Sequence, residues 1–227
     1  MSDTGAARTE TQAQGPSDPA YARPGPAPRR VLHVGCGSKG KDKMPGPFAG
    51  PGWEEIRFDI DPGAKPDILG TATDMSAVET GSMDAIYTSH TIEHVFHHEV
   101  AKVVAEFVRV LHPERGFAVV TCPDLQALGE AIAAGKLEEP LYQSPAGPIT
   151  PLDILYGHRA SVARGQVYMA HKTGFTTQSL LNALARNGFA TSAGIRRLQR
   201  HEAWAIGFRW RADQEEKKAF RIAYLPR

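Results

Sequence analysis

The stretch Val31-Leu32-His33-Val34-Gly35-Cys36-Gly37-Ser38-Lys39-Gly40 decides the fold. Val31, Leu32 and Val34 form a short apolar run that suits a parallel strand covered on both faces. Gly35, Gly37 and Gly40 follow at once. Glycines let the backbone turn sharply and approach a ligand with no Cβ in the way. Further on, Ile56-Arg57-Phe58-Asp59-Ile60-Asp61-Pro62 reads as a second strand ending in acids. Asp59 stands 19 residues after Gly40, and an acid at the tip of the second strand is placed to accept hydrogen bonds from ribose hydroxyls. Turn and acid together point to a nucleoside-containing cofactor at the carboxyl edge of a parallel sheet.

Bulk properties narrow the setting. A chain of 227 residues suits one domain plus tails. Its formal net charge of +1 gives no broad electrostatic argument for nucleic acid or an anionic membrane as partner. No apolar run approaches the roughly 20 residues that span a bilayer, and no basic-then-apolar signal pattern opens the chain. The expectation is a cytoplasmic protein. Its two cysteines, Cys36 and Cys122, do not make a disulfide framework. No base is identifiable for Cys36, so both read as small residues in a reduced protein.

Residues 1–29 are rich in Ala, Gly, Pro, Thr and Gln and carry almost no large apolar side chains. Such a composition cannot bury enough surface to offset the ordering of its backbone, so a disordered tail is expected. After the first strand, Gly40, Pro45, Gly46, Pro47, Gly50, Pro51 and Gly52 break any helical run. The first crossover is therefore a loop with at most one helical turn, which weakens a helix-dipole contribution to the site. Ala85–Ser89 reads as a strand, Glu99–Leu111 as an amphipathic helix, and Phe117–Cys122 as another strand stopped by Pro123. The order suits an open α/β sheet. Residues 124–172 break the rhythm: a helical Leu125–Leu137, a Pro- and Gly-rich loop over Pro140–Pro151, then Asp153–Val167 on a helix or irregular turn. An insertion of this size is a lid or substrate wall, or else a cap over a sheet edge. Thr176–Asn187 reads as a helix ended by Gly188. Two strands, 193–198 and 203–210, make a terminal antiparallel hairpin, and the last residues look charged and peripheral. The fold class expected is α/β: a Rossmann-like open, mostly parallel sheet with a C-terminal antiparallel hairpin and a lid-like insertion. The domain expected is 30–227, with 124–172 inserted.

Six segments in this order resemble the class I S-adenosylmethionine (SAM)-dependent methyltransferases, specifically the broad type 11 group. They are Val31–Gly40, Asp59, Thr73-Asp74-Met75, Ser82-Met83-Asp84-Ala85-Ile86 with His90-Thr91-Ile92-Glu93-His94, Arg109-Val110-Leu111-His112-Pro113 with Gly116, and His171–Thr176. The likeness covers residues 31–122 and 171–190. It implies SAM as cofactor, with Gly35, Cys36, Gly37, Asp59 and Ile60 around its methionine and ribose. It also implies that Asp74 and Met75 flank adenine beside Thr73, and that Ser89 and His90 lie beneath the methyl group. The chain departs from the family at His33, where relatives carry an acid that helps hold the methionine end, and in its GxGxxG spacing.

Methyl transfer from such a cofactor needs donor and acceptor held close and aligned, and a base only where the acceptor carries a proton. His90, His94, His158 and His171 are candidates, because histidine titrates near neutrality; His90, His94 and His171 are the catalytic expectation. Tyr156, His158 and Tyr168, in or beside the insertion, are expected to line the pocket of a small-molecule acceptor. A metal is weighed as well, since His90 and His94 are four apart beside Glu93, with His97 and His98 following. The helix begins only near His97, however, and spacing supplies no third ligand, so no metal is assigned. Two other functions stay open. One is a methyltransferase-fold protein that binds without turnover, motivated by His33 and the broken first helix. The other is an NAD(P)-dependent dehydrogenase, which the GxGxxG spacing fits and the broken crossover opposes. Oligomeric state and the methylated atom are not encoded in these patterns.

Overall fold

A computed structural model describes residues 28–144 and 147–226. The expected tail, 1–29, lies outside the described residues apart from its last two positions. In chain order the strands are β1 (Arg29–Val34), β2 (Trp53–Asp59), β3 (Ile68–Leu69), β4 (Ala85–Ser89), β5 (Phe117–Pro123), β6 (Tyr142–Ser144), β7 (Gly147–Ile149), β8 (Thr191–Arg197) and β9 (Glu202–Phe208). The helices are α1 (Val100–Val110), α2 (Leu125–Ala133), α3 (Pro151–Tyr156), α4 (Arg159–Ala163), α5 (Thr177–Arg186) and α6 (Gln214–Tyr224). Seven strands form one sheet in the order β3-β2-β1-β4-β5-β9-β8, and β6 and β7 make a separate antiparallel ribbon. The first five strands of the sheet are parallel, and β9 joins β5 antiparallel. The strand order reverses between β1 and β4, which puts a ligand crevice at their carboxyl ends.

Each face of the sheet has its own cover. On one, α1 buries Val100, Val103, Val104, Phe107 and Val110, and each such side chain contributes about 1.5–3 kcal/mol. It packs beside α5, whose Leu180 and Leu184 are fully buried, against Leu32, Val34, Ile86 and Val120 of the strands. Thr176 caps α5 by accepting from the Ser179 N–H.

The other face carries Val31, Trp53, Tyr87, Phe117 and Phe208. As the Pro and Gly run requires, no α-helix follows the β1 turn; two short 3-10 turns, Lys41–Lys43 and Gly46–Ala49, take its place. The missing cover is supplied by α6. Phe220 packs edge-on and Tyr224 tilted against Phe117, with ring centres 5.0 and 4.9 Å apart, and Phe48 meets Tyr224 at 4.8 Å. The expectation of a peripheral C-terminus is therefore corrected: the polar front of α6 hides an i, i+4 aromatic pair that completes the core. The two-residue β3 was also too short to show a period in the sequence. No helix among the described residues is long and apolar enough to cross a membrane.

Candidate active site

The β1 turn is built as a cradle. Gly35 and Gly37 hold φ values of +68° and +52°, the left-handed region that favours glycine. Gly35 sits so close to the β4 side that a Cβ would run into Thr91 Oγ1, whereas at Gly37 a Cβ would meet nothing within 4 Å. The open side of the cradle is thus at Gly37. Asp59 borders it. Its Oδ2 accepts from the Gly37 N–H at 2.7 Å and its Oδ1 from the Asp61 N–H at 2.8 Å. A carboxylate oxygen has two lone pairs, so each retains one for a further donor. At the adjacent ends of β2 and β3, Ile60 and Leu69 are 57% and 59% exposed, apolar surface of the kind a flat base covers. Cys36 is buried, and burial pushes its thiol up to about 11; its N–H donates to Phe58 O and its carbonyl accepts from the Lys39 N–H.

His33 lies under this cradle. It is 2% exposed, with Nδ1 2.6 Å from Glu55 Oε1 and its ring 5.2 Å from Tyr87. Burial lowers its pKa despite the Glu55 contact, so the neutral ring donates Nδ1–H to Glu55. A carboxylate is therefore present behind β1 after all, carried by β2.

The Thr73-Asp74-Met75 segment is placed differently from its expectation. The Met75 side chain is fully buried in the core, and its N–H donates to Glu106 Oε2 at 2.7 Å. Asp74 accepts from the Ser76 N–H at 3.1 Å, while Thr73 Oγ1 meets Thr71 Oγ1 at 3.0 Å. Arg109, held by Glu106, clamps this loop through Met75 O at 2.7 Å and Val78 O at 2.9 Å. Met75 has no face left for adenine; the exposed apolar surface there belongs to Ile60 and Leu69.

Beyond Ser89 and His90, a cavity of about 170 Å³ opens. His90 and Pro123, at the ends of β4 and β5, lie on one side with His94. The insertion supplies Tyr142, Ile154, His158, Met169 and the following His171, and the β8–β9 turn supplies Arg200 and His201. His90, His94, His158 and His171, candidates from the sequence, all line this cavity. Tyr156 does not: it is 59% exposed and absent from the cavity wall. Tyr168 also lies off that wall: its OH donates to Asp61 Oδ2 at 3.1 Å, so the insertion reaches across to the β2 end. Tyr142, Arg200 and His201 carried no sequence signal, because they reach the cavity only through the fold. His158 gives its Nδ1 to Ser161 at 2.8 Å.

The electrostatics separate these histidines. His90 adopts φ +55°, a conformation rare outside glycine. Its Nδ1 is 3.3 Å from Glu93 Oε1 and its Nε2 3.6 Å from Glu202 Oε1. Burial lowers its pKa, but the two carboxylates outweigh burial and hold it up at about 9. At neutral pH it is a cation and a proton donor, which removes it as a base. His171 is neutral: burial, the largest influence, lowers its pKa. Its Nδ1 donates to Ile154 O at 2.6 Å, and the Nδ1 of His94 donates to Ala170 O at 3.1 Å. With Nδ1–H engaged in this way, the neutral tautomer of each ring leaves Nε2 bare. Glu93 sits between them, 1% exposed, with neither carboxylate oxygen hydrogen-bonded. Burial favours its protonated form, but the histidines around it outweigh this and keep its pKa below the ordinary glutamate value.

Residues 32–119 match the methyltransferase-domain family. No curated protein matches the sequence. Among solved structures, a Pyrococcus horikoshii protein superposes with a TM-score of 0.51 at 15% identity, covering 80% of this chain and 82% of its own. A SAM-dependent methyltransferase from Archaeoglobus fulgidus gives 0.49 at 13% identity, over 80% of this chain and 86% of its own. A SAM-dependent methyltransferase from Methanosarcina mazei gives 0.49 at 15%, over 80% and 91%. The domain-model match over residues 32–119 and the Rossmann-like order of the sheet agree with the resemblance that the motifs carried.

Proposed function

We propose that this methyltransferase-domain protein transfers a methyl group from SAM to a small polar acceptor held in the histidine-lined cavity. The observation that carries the reading is the cradle: a left-handed Gly35–Gly37 turn open at Gly37, beside an acid with spare lone pairs and exposed apolar surface at the next strand ends. These features suit a nucleoside with a charged amino-acid tail. The Gly35–Gly37 turn would hold the tail, Asp59 the ribose, and Ile60 and Leu69 the base. Ser89 and His90 stand where cradle and cavity meet.

When bound, SAM supplies an activated methyl on a sulfonium, so the protein's work is alignment. His90, charged and fixed between Glu93 and Glu202, orients an acceptor by donating a hydrogen bond. With no metal bound, the Nε2 of His171 or His94 is the atom that could take an acceptor's proton. The cavity is smaller than the roughly 300–1,000 Å³ typical of drug-sized ligands, and its mostly apolar wall carries the histidines as polar points, which supports a small acceptor with a polar reacting end, or that end of a larger one. We read 30–227 as one domain with 124–172 as a lid over this site, in a cytoplasmic protein.

Calorimetric titration with SAM and its demethylated product, with NAD as control, tests the reading. Micromolar binding of either sulfur nucleoside, lost in Asp59→Ala, is expected. Preferential NAD binding, or no binding of any of the three, would overturn it. Binding of SAM without methyl transfer to any of a broad acceptor panel would favour a binding protein.

A further inference from the structure

We infer that Glu93, His94 and His171 form a binding site for one divalent transition-metal ion of the zinc class, with an open coordination position facing the cavity. The inference stands on side-chain geometry and does not depend on the methyltransferase reading. One ligand atom from each residue can be chosen so that all three lie within 4.8 Å of one another, and His171 Nε2 is 3.9 Å from Glu93 Oε1. Tetrahedral ligands at zinc distances lie about 3.4 Å apart, so an ion draws the three inward by about an ångström.

Three features mark the cluster as built for a cation. First, a fully buried carboxylate with no hydrogen bond to either oxygen, and among the described residues only the His90 ring 3.3 Å away as counter-charge, is costly, and a bound cation lowers that cost. Second, both imidazoles give Nδ1–H to backbone carbonyls, Ala170 O and Ile154 O. This is the arrangement that fixes metal-ligating histidines with Nε2 toward the ion. Third, the ligands are locked together across 77 residues of sequence, because the Lys172 and Thr173 N–H groups both donate to Glu93 O at 2.8 and 3.2 Å. Two imidazoles and one carboxylate give a three-ligand set of the type that leaves a fourth position open in catalytic zinc sites. His94 and His171 line the cavity, so that position points to where a ligand would enter. It suits an oxygen or sulfur donor.

The test uses untagged, chelator-stripped full-length protein, titrated with Zn²⁺ in the absence of SAM and repeated with Co²⁺ as a spectroscopic probe. One equivalent is expected at micromolar affinity or tighter, with Co²⁺ absorption of a low-coordinate nitrogen–oxygen site. His94→Ala and His171→Ala should each weaken binding by about 100-fold or more, at least the loss seen when a ligand's supporting partner is removed. His97→Ala, on an exposed residue bonded to Thr173, should bind as the wild type does. Cooperative melting of each variant confirms that it is folded. Absence of binding in the wild type overturns the inference and leaves Glu93 as the counter-ion of His90 alone. So does binding unchanged in the His94 and His171 variants, or lost equally in His97→Ala. A failed SAM titration would sink the proposed function and leave this result standing.

Discussion

Gly35 and Gly37 share a left-handed conformation but differ in what surrounds them, and that difference separates stability from ligand binding. At Gly35 an added methyl meets both the left-handed penalty and the Thr91 side chain. Gly35→Ala should therefore cost about 2–4 kcal/mol of stability and abolish cofactor binding. Gly37→Ala enters open space, so it should cost only about 1–2 kcal/mol while still weakening SAM binding at least tenfold. Thermal melts paired with calorimetry separate the two effects, and equal damage by both would contradict the cradle. The His33–Glu55 pair gives a second contrast. Glu55→Ala strands a buried imidazole donor and should lower stability by about 1–3 kcal/mol, read by denaturant titration. Gly35, Gly37 and Asp59 were legible in the sequence because a turn and an acid at a strand tip form a local pattern. The burial of Met75 and the exposure of Tyr156 were not, because both are set by tertiary packing that spacing does not record.

At the scale of elements, α6 is the clearest test. Phe220 packs edge-on to Phe117 and Phe208, in the space that a first crossover helix would otherwise fill. Phe220→Ala should destabilise the protein by about 3–5 kcal/mol, far more than any surface substitution, as a chemical denaturation midpoint will show. A loss below about 1 kcal/mol would mean that the face has another cover. The helix was missed because Gln214–Lys218 is polar throughout, which masks two aromatics one turn apart. By contrast α1 and α5 declared themselves through apolar stripes at helical spacing. The insertion offers a pH test. Burial raises the Asp153 carboxyl, but Arg159 and Thr150 outweigh it and hold it at about 2, against an unfolded value of 3.8. A depressed folded pKa stabilises above the unfolded value and loses that contribution as pH falls through the folded one. Stability should therefore decline between about pH 4 and pH 2. Arg159→Ala should flatten that slope in denaturation curves taken across the window.

At the scale of the whole molecule, the account joins two sites from distant parts of the chain. The cradle belongs to β1 and β2, the cavity to β4, β5, the insertion and the β8–β9 turn, and the two meet at Ser89 and His90. Sequence patterns could show the first, since it is local, but only part of the second, since Tyr142, Arg200 and His201 reach it through topology alone. Tyr168 ties the halves by donating to Asp61 across 107 residues. The pair is partly exposed, so Tyr168→Phe should leave stability within about 1 kcal/mol. It should speed cofactor dissociation, which stopped-flow displacement will detect if the insertion is a lid; an unchanged rate would make it a fixed wall. The most direct test of the joined site is a crystal structure with the demethylated cofactor product bound. The account predicts the ribose on Asp59, the base against Ile60 and Leu69, and the sulfur at Ser89–His90 facing the histidine cavity. A nucleoside bound elsewhere, or one whose sulfur is turned away from that cavity, would contradict it.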